Sequence, residues 1–559
     1  MHRPSRHRAA GLLLVAVLLA GCSRAPATDP TPSPTATEAA PVESPTPADR
    51  TGGSLRYGLS GDPDTIDPRF VADETGALVV DALFDSLVAL DDDLQPVPAA
   101  AESWQVSDDG TTFTFTLRED GRFHDGTPVT AADFARSFDR IADGTAEPRS
   151  LLAFQLEPVR GFAAAQSDGA SLAGVEAVDE RTLRITLDEP FPEFLSVLSR
   201  PGLAPVPPAA DEDLEAFGTS PVGNGPFEMA EAWQRGQFIR VARADTWWGE
   251  VLLDEVVFRI YAGDPGAASQ FADLEAGQLQ VAEVPAGKRA EAESRFGRAD
   301  GSTGPGVLDG LTSTIYYYGF NLEQAPFDDV RVRRAVSLAI DRERIAAEVL
   351  AGLRAPADAI VPPPIPGSQV SPCAHCRFAP DEAAALAAEV RADGVELASI
   401  ELVHNDGPTH EAIAAIVAES LREVLDVEVA VRSQGLQEYV AGLRAGVMQV
   451  FRLGWQADYP SPGSYLVPLF SGDNVGVDNL TRYDVAEVTQ QLEAARAEMD
   501  ATARVEAYRA AERRILDDVA IAPMLFYRSA QVVAEGVNDL TVSPLGSVDL
   551  TRVWLDDAP

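Results

Sequence analysis

Residues 452–466 read Arg452-Leu-Gly-Trp-Gln-Ala-Asp458-Tyr-Pro-Ser-Pro-Gly-Ser-Tyr-Leu466, which sets an arginine, an indole, a carboxylate and a phenol close together ahead of a proline-interrupted turn over 460–463. Upstream, residues 395–403 alternate apolar and polar, as a strand does. A helical stretch over 409–424 follows, then a strand over 427–432, a helix over 436–445 and a strand over 448–453. That βαβαβ pattern predicts an α/β fold with three parallel strands. Arg452 to Asp458 then stand at the carboxyl end of the third strand, where ligands of open α/β sheets lie. A cation, an anion and two aromatic rings there suit a zwitterionic organic ligand. The plainer alternative makes Trp455 and Tyr459 core residues and pairs Arg452 with Asp458.

The chain has 559 residues, which is long for a single core and predicts more than one lobe. Its net charge of −43, from 87 acidic against 44 basic residues, argues against nucleic acid, whose phosphates need a basic footprint. Such a charge reads as a solvated acidic surface, or as a field that draws in cationic solutes. Lys288 is the only lysine, so almost all positive charge is arginine.

Arg3, Arg6 and Arg8 precede a short apolar run over 11–20 that ends in Leu19-Ala20-Gly21-Cys22. The order resembles the lipobox of bacterial lipoproteins. It implies a signal peptide over 1–21 and a lipidated Cys22 as the new N-terminus; the alternative is a plain secretory signal with an accidental cysteine. Residues 22–51 then carry the lipid and form a Pro/Thr-rich tether too poor in apolar residues to fold. No other stretch is long and apolar enough to cross a membrane. The remaining cysteines, Cys373 and Cys376, stand in Cys-Ala-His-Cys. A local structural disulfide is the economical reading for an exported chain. A redox pair is expected at the start of a thioredoxin-like helix, and a metal site through His375 has no evident fourth ligand.

Along the body, residues 53–60 and 112–117 read as strands and 77–90 as a helix. Asp125-Gly126 reads as a tight turn, with Thr130 as the N-cap of a following helix. Several motifs then occur in order: Gly52-Gly-Ser-Leu-Arg56, Ala101-Glu-Ser-Trp104, Asp125-Gly-Thr-Pro-Val-Thr-Ala131, Pro221-Val-Gly-Asn-Gly-Pro-Phe227, Ile315-Tyr-Tyr-Tyr-Gly-Phe-Asn321, Pro326-Phe-Asp-Asp-Val-Arg-Val-Arg333 and Leu338-Ala-Ile-Asp-Arg342. Together they resemble family 5 of the extracellular solute-binding proteins. The resemblance implies a two-lobed periplasmic-binding-protein fold, type II-like with an extra inserted domain, closing over its ligand at a hinge. It would give a discontinuous lobe I over 52–94, 206–309 and 522–559, an inserted small domain over 95–205, and lobe II over 310–521. Strands over 256–262 and 314–321 would flank a crossing near Asp309, with the second crossing near Ile521 and a helix over 330–340.

The resemblance also assigns candidate ligand contacts. The aspartate matching Asp458 pairs with a ligand's α-ammonium, and the arginine matching Arg452 meets its carboxylate. A buried ammonium is tolerable only beside a hydrogen-bonded carboxylate. The main chain from Trp455 to Ala457 would pair with the ligand as a neighbouring strand does, with Tyr459 as the adjoining aromatic. His410 matches a histidine that approaches the ligand's C-terminus, and Tyr527 matches a pocket aromatic; His404 has no such match. After Tyr459 the family continues with an acidic residue or an asparagine, whereas residues 460–464 here are uncharged. Trp104, Trp247 and Trp248 read as packing. The chain has no Gly-x-Ser-x-Gly elbow, Walker A loop or His-Glu-x-x-His pair. The expectation is therefore a monomeric, lipid-anchored receptor on the outer face of the cytoplasmic membrane, without metal or cofactor, that passes oligopeptides to the permease and ATPase subunits of an ABC importer. The alternatives are a receptor for a metal chelate or an organic cation, an extracytoplasmic hydrolase, or a sensor subunit.

Overall fold

The computed structural model describes residues 50–71, 73–263, 266–299, 303–368 and 373–556. The signal segment, Cys22 and almost all of the tether lie outside these residues. Six strands and two helices carry the site: β1 (Gly306–Phe320), β2 (Arg354–Pro356), β3 (Ser399–Asn405), α1 (Pro408–Leu425), β4 (Glu428–Gln434), α2 (Leu436–Ala445), β5 (Val450–Gln456) and β6 (Ile521–Val533).

The βαβαβ reading corresponds to β3-α1-β4-α2-β5. β3 pairs in parallel with both β4 and β5, so it lies between them. Two boundaries differ from expectation by three residues or more. The first strand starts at Ser399 rather than 395, because Val395 closes the preceding helix (Pro380–Ala392) by donating to Val390 O at 3.0 Å. The third strand runs on to Gln456, because its whole length pairs antiparallel with β1, from Phe320↔Val450 to Thr314↔Gln456. Arg452 is therefore within the strand, and only Ala457 and Asp458 lie beyond it.

β1 and β6 form the middle of an eleven-stranded sheet. They pair antiparallel from Gly306↔Val533 to Gly319↔Ile521, with register shifts between Leu311 and Ile315 and between Tyr316 and Tyr317. One flank of the pair carries β5, β3 and β4. The other carries strands Val281–Glu283, Ser54–Leu59, Glu255–Ile260, Phe238–Arg243 and Phe227–Met229. β1 begins eight residues earlier than the 314–321 expected, since one long strand serves both flanks. The apolar cores divide along the same line. Ile315, Tyr317, Ile521 and Phe526 pack with residues of 357–520, whereas Leu308 and Val533 pack with residues of 55–260. Along β6 the change from one apolar core to the other lies between Phe526 and Val533. A strand that passes unbroken from one core to the other leaves no local sequence signal of the change. At the crossing, Asp309 is nearly buried and pairs with Arg289 at 2.5 Å and Arg528 at 2.6 Å.

A separate four-stranded antiparallel sheet, ordered Ala101–Val106, Thr112–Leu117, Thr182–Thr186, Val175–Ala177, packs its inward residues Phe113, Phe115 and Ile185 against Phe134 and Phe138. Those two phenylalanines lie on helix Ala131–Ala142, whose N-terminus is closed where Thr130 N donates to Asp133 Oδ2 at 3.0 Å. The helix expected over 77–90 ends at Leu83. Beyond it, Val88–Leu90 pairs with Pro96–Pro98 as a short ribbon, since an aspartate-rich turn at 91–93 sends the chain back. Cys373 and Cys376 are joined in a disulfide with Cα atoms 5.3 Å apart.

Candidate functional site

Alternation along β5 divides its side chains between two faces. Phe451, Leu453 and Trp455 face the packing around α2 and helix Gly463–Phe470, while Val450 and Arg452 face α1. Opposite them on β1, Tyr316 and Tyr318 share the Arg452 face.

On that face a cationic and aromatic cluster forms. The Arg452 guanidinium lies 4.6 Å from the Tyr316 ring centroid. It donates to Asn405 Oδ1 at 3.1 Å and to the Tyr527 hydroxyl at 3.4 Å. His410, in the first turn of α1, sits 5.8 Å from the Tyr316 ring. The structure thus brings Arg452, His410 and Tyr527 together. Burial pushes the His410 imidazole down to about 4, and the charges of Arg452 and Arg354, with His404, push the same way, so it is neutral near pH 7. Arg354, which sequence reasoning missed, stacks 3.6 Å from the Tyr527 ring from its position opposite on β2. It lies in a three-residue strand with no motif around it, so no local signal marked it. His404 is buried, with Nδ1 2.9 Å from Asn405 O.

Asp458 stands apart from this cluster, at the end of β5. Among the described residues no hydrogen bond or ion pair joins it to Arg452, so the pairing considered above does not form. The uncharged segment 460–464 positions it instead. Asp458 N donates to Ser464 Oγ at 2.8 Å, and Trp455 Nε1 donates to Ser464 O at 2.7 Å. Ala457 N donates to Ser313 O at 3.3 Å. The strand end is therefore fixed by backbone and hydroxyl contacts from an uncharged segment. Burial holds the Asp458 carboxyl above the usual carboxylate range; Arg200 pulls it back down and Asp478 adds to the rise. Tyr459 meets Phe191 edge-on, ring centroids 5.6 Å apart, against the core of the four-stranded unit.

Between the cluster and Asp458 runs one unpaired strand edge. The ladder between β3 and β5 covers only Leu402↔Val450 and Val403↔Phe451. Beyond Phe451, no strand among the described residues pairs with that edge of β5, and Tyr439 of α2 caps it by donating to Arg452 O. An extended chain laid along residues 454–456 would find main-chain partners there, with an anion at one end and cations at the other.

Residues 95–476 match the family described as bacterial extracellular solute-binding proteins, family 5 Middle. The probable deoxycholate-binding periplasmic protein YgiS of Escherichia coli is 32% identical over 84% of this chain and 88% of its own length. The periplasmic oligopeptide-binding protein OppA of Salmonella typhimurium is 28% identical over 88% and 90%. Among solved structures, the unliganded open form of the periplasmic murein tripeptide binding protein MppA superposes with a TM-score of 0.76 at 26% identity, covering 90% of this chain and 97% of that one. That neighbour and this chain share a two-lobed α/β fold.

Proposed function

The chain belongs to the bacterial extracellular solute-binding proteins of family 5, and we propose that it captures peptides outside the cell and hands them to an ABC importer's permease and ATPase subunits. The observation that carries this reading is the unpaired β5 edge ending at Asp458, a half-buried carboxylate that forms no ion pair among the described residues. The edge offers main-chain hydrogen bonds to a ligand of any side-chain sequence. The carboxylate meets an α-ammonium, and Arg452 meets the other end. OppA and MppA, both named for peptides, support the peptide class. Ligand-contact roles for Trp455, Ala457, Tyr459, His410 and Tyr527 belong to the same proposal, as does the absence of any chemical step.

The proposed lobe limits follow the sequence reading (52–94, 206–309 and 522–559; 95–205; 310–521), with the second crossing placed between Phe526 and Val533. Cys22 is proposed as the lipid anchor on the outer face of the cytoplasmic membrane. No helix among the described residues is long and apolar enough to cross a membrane.

A second reading is favoured by one observation: YgiS is named for deoxycholate, a carboxylate-bearing steroid. Such a ligand would use the arginine cluster and leave Asp458 idle. Mass spectrometry of the small molecules released on denaturing the purified protein separates the two. Peptides with free N-termini are expected; a steroid carboxylate as the sole released species would reject the peptide reading.

A further inference from the structure

The guanidinium groups of this chain are, as a rule, compensated where they are buried. Arg140 lies 2.8 Å from Asp67, and Arg342 donates to the carbonyls of Pro523, Ser337 and Ile340. Arg354 departs from that rule. Its guanidinium makes no hydrogen bond or ion pair among the described residues and meets only rings, Tyr527 at 3.6 Å and Tyr316 at 5.8 Å. Arg452 lies on the same Tyr316 ring at 4.6 Å, and its hydrogen-bond partners among the described residues, Asn405 and Tyr527, are neutral. Two positive charges thus converge on one tyrosine, with no carboxylate paired to either among the described residues, in a chain of net charge −43. Arg354 Nη1, Arg452 Nε and His410 Nδ1 are buried atoms without a hydrogen-bond partner among the described residues. Unsatisfied donors on this scale call for a group that satisfies them. Arg354, Arg452, His410 and Tyr527 are each only partly buried, so an anion can reach them.

Resting on the peptide reading, we propose that Arg354 makes this end of the site selective for a dianion: a ligand whose terminus carries two carboxylates, as a peptide ending in Glu or Asp does. A single carboxylate matches Arg452 and leaves the Arg354 charge desolvated when the lobes close. A second carboxylate matches it. Charge-assisted hydrogen bonds are the strong class, and one of them accounts for a difference of about tenfold or more in affinity. Arg354 is then a specificity-determining residue, distinct from the residues that hold the peptide main chain.

The test is calorimetry with Ala-Ala-Glu and Ala-Ala-Gln on the full chain, on Arg354→Gln and on Arg354→Lys. The parent is expected to bind the Glu-ended peptide about tenfold or more tightly, Arg354→Lys to keep most of that preference, and Arg354→Gln to bring the ratio near one. Equal binding by the parent, or an undiminished preference in Arg354→Gln, overturns the proposal. If neither peptide binds the parent, the peptide reading itself fails, and the dianion claim is decided by thermal melting in glutarate against butyrate at matched ionic strength. Stabilisation by glutarate that is lost in Arg354→Gln supports it; no difference between the two acids overturns it.

Discussion

Arg200 Nη1, from the segment that closes the four-stranded unit, donates to the main-chain carbonyl of Asp458 at 2.9 Å, and its charge opposes the burial that would otherwise neutralise the Asp458 carboxyl. An ammonium-binding carboxylate has to be ionised, so on the proposed role of Asp458 the Arg200 charge would act on ligand affinity from outside the ligand's own contacts.

Replacing Arg200 with methionine removes that charge and keeps apolar bulk. The Asp458 carboxyl then titrates at a higher pH than in the parent. Affinity for an ammonium-bearing peptide is present above the carboxyl's folded pKa and lost as pH falls through it. The acid limb of a binding profile should therefore move to higher pH in Arg200→Met. Calorimetry with trialanine across pH 4 to 8 checks this; superimposable limbs would show that Arg200 does not support Asp458.

Much of this region was legible in sequence, and the gaps have physical causes. The βαβαβ order was readable because each element buries a face with its own period, 3.6 in α1 and 2 in β3. The extent of β5 was not, because it is set by pairing with β1, more than a hundred residues away. The motif around Asp458 could be recognised, but Arg200 and Arg354 could not, since each enters through a long-range contact and neither sits in a patterned stretch. The uncharged 460–464 segment looked like a loss of polar function; in space, Ser464 fixes the end of the strand.

That role gives a second prediction. Ser464 is buried, and its hydroxyl accepts from Asp458 N at 2.8 Å. Ser464→Ala leaves that amide without its acceptor, a cost of about 1–3 kcal/mol. Chemical denaturation should show a loss of this order, with a parallel loss of peptide affinity. Full parental stability would mean that another acceptor takes over.

Helix Glu74–Leu83 carries Asp81, whose carboxyl is pushed up to about 7 by burial first and then by Asp549 and Asp85. With the folded value above the unfolded one, the native state holds this proton more tightly. Its stabilising contribution is full below the ordinary aspartate range and is lost as pH rises through about 7. Asp81→Asn should accordingly melt higher than the parent at pH 8, and the gap should narrow steadily toward pH 4. A constant gap across that range would show that Asp81 is not held protonated.

β1 and β6 are the strands that join the two cores directly, and their register slips between Leu311 and Ile315. Closure by bending there should make the particle more compact when a peptide binds. Small-angle scattering on the full chain, with and without saturating trialanine, measures it. A smaller radius of gyration is expected; an unchanged one would speak against closure.

The most direct test of peptide capture through Asp458 is a cycle of Asp458→Asn against N-acetylation of the ligand, read by calorimetry with trialanine and N-acetyl-trialanine. Breaking one partner of a buried charge pair costs about 3–5 kcal/mol, which is roughly two to three and a half decades of affinity. Each change alone should produce a loss of that order, and the two together should add little more, because they break the same pair. Parental affinity in Asp458→Asn, or losses that simply add, would show that the α-ammonium does not sit on Asp458.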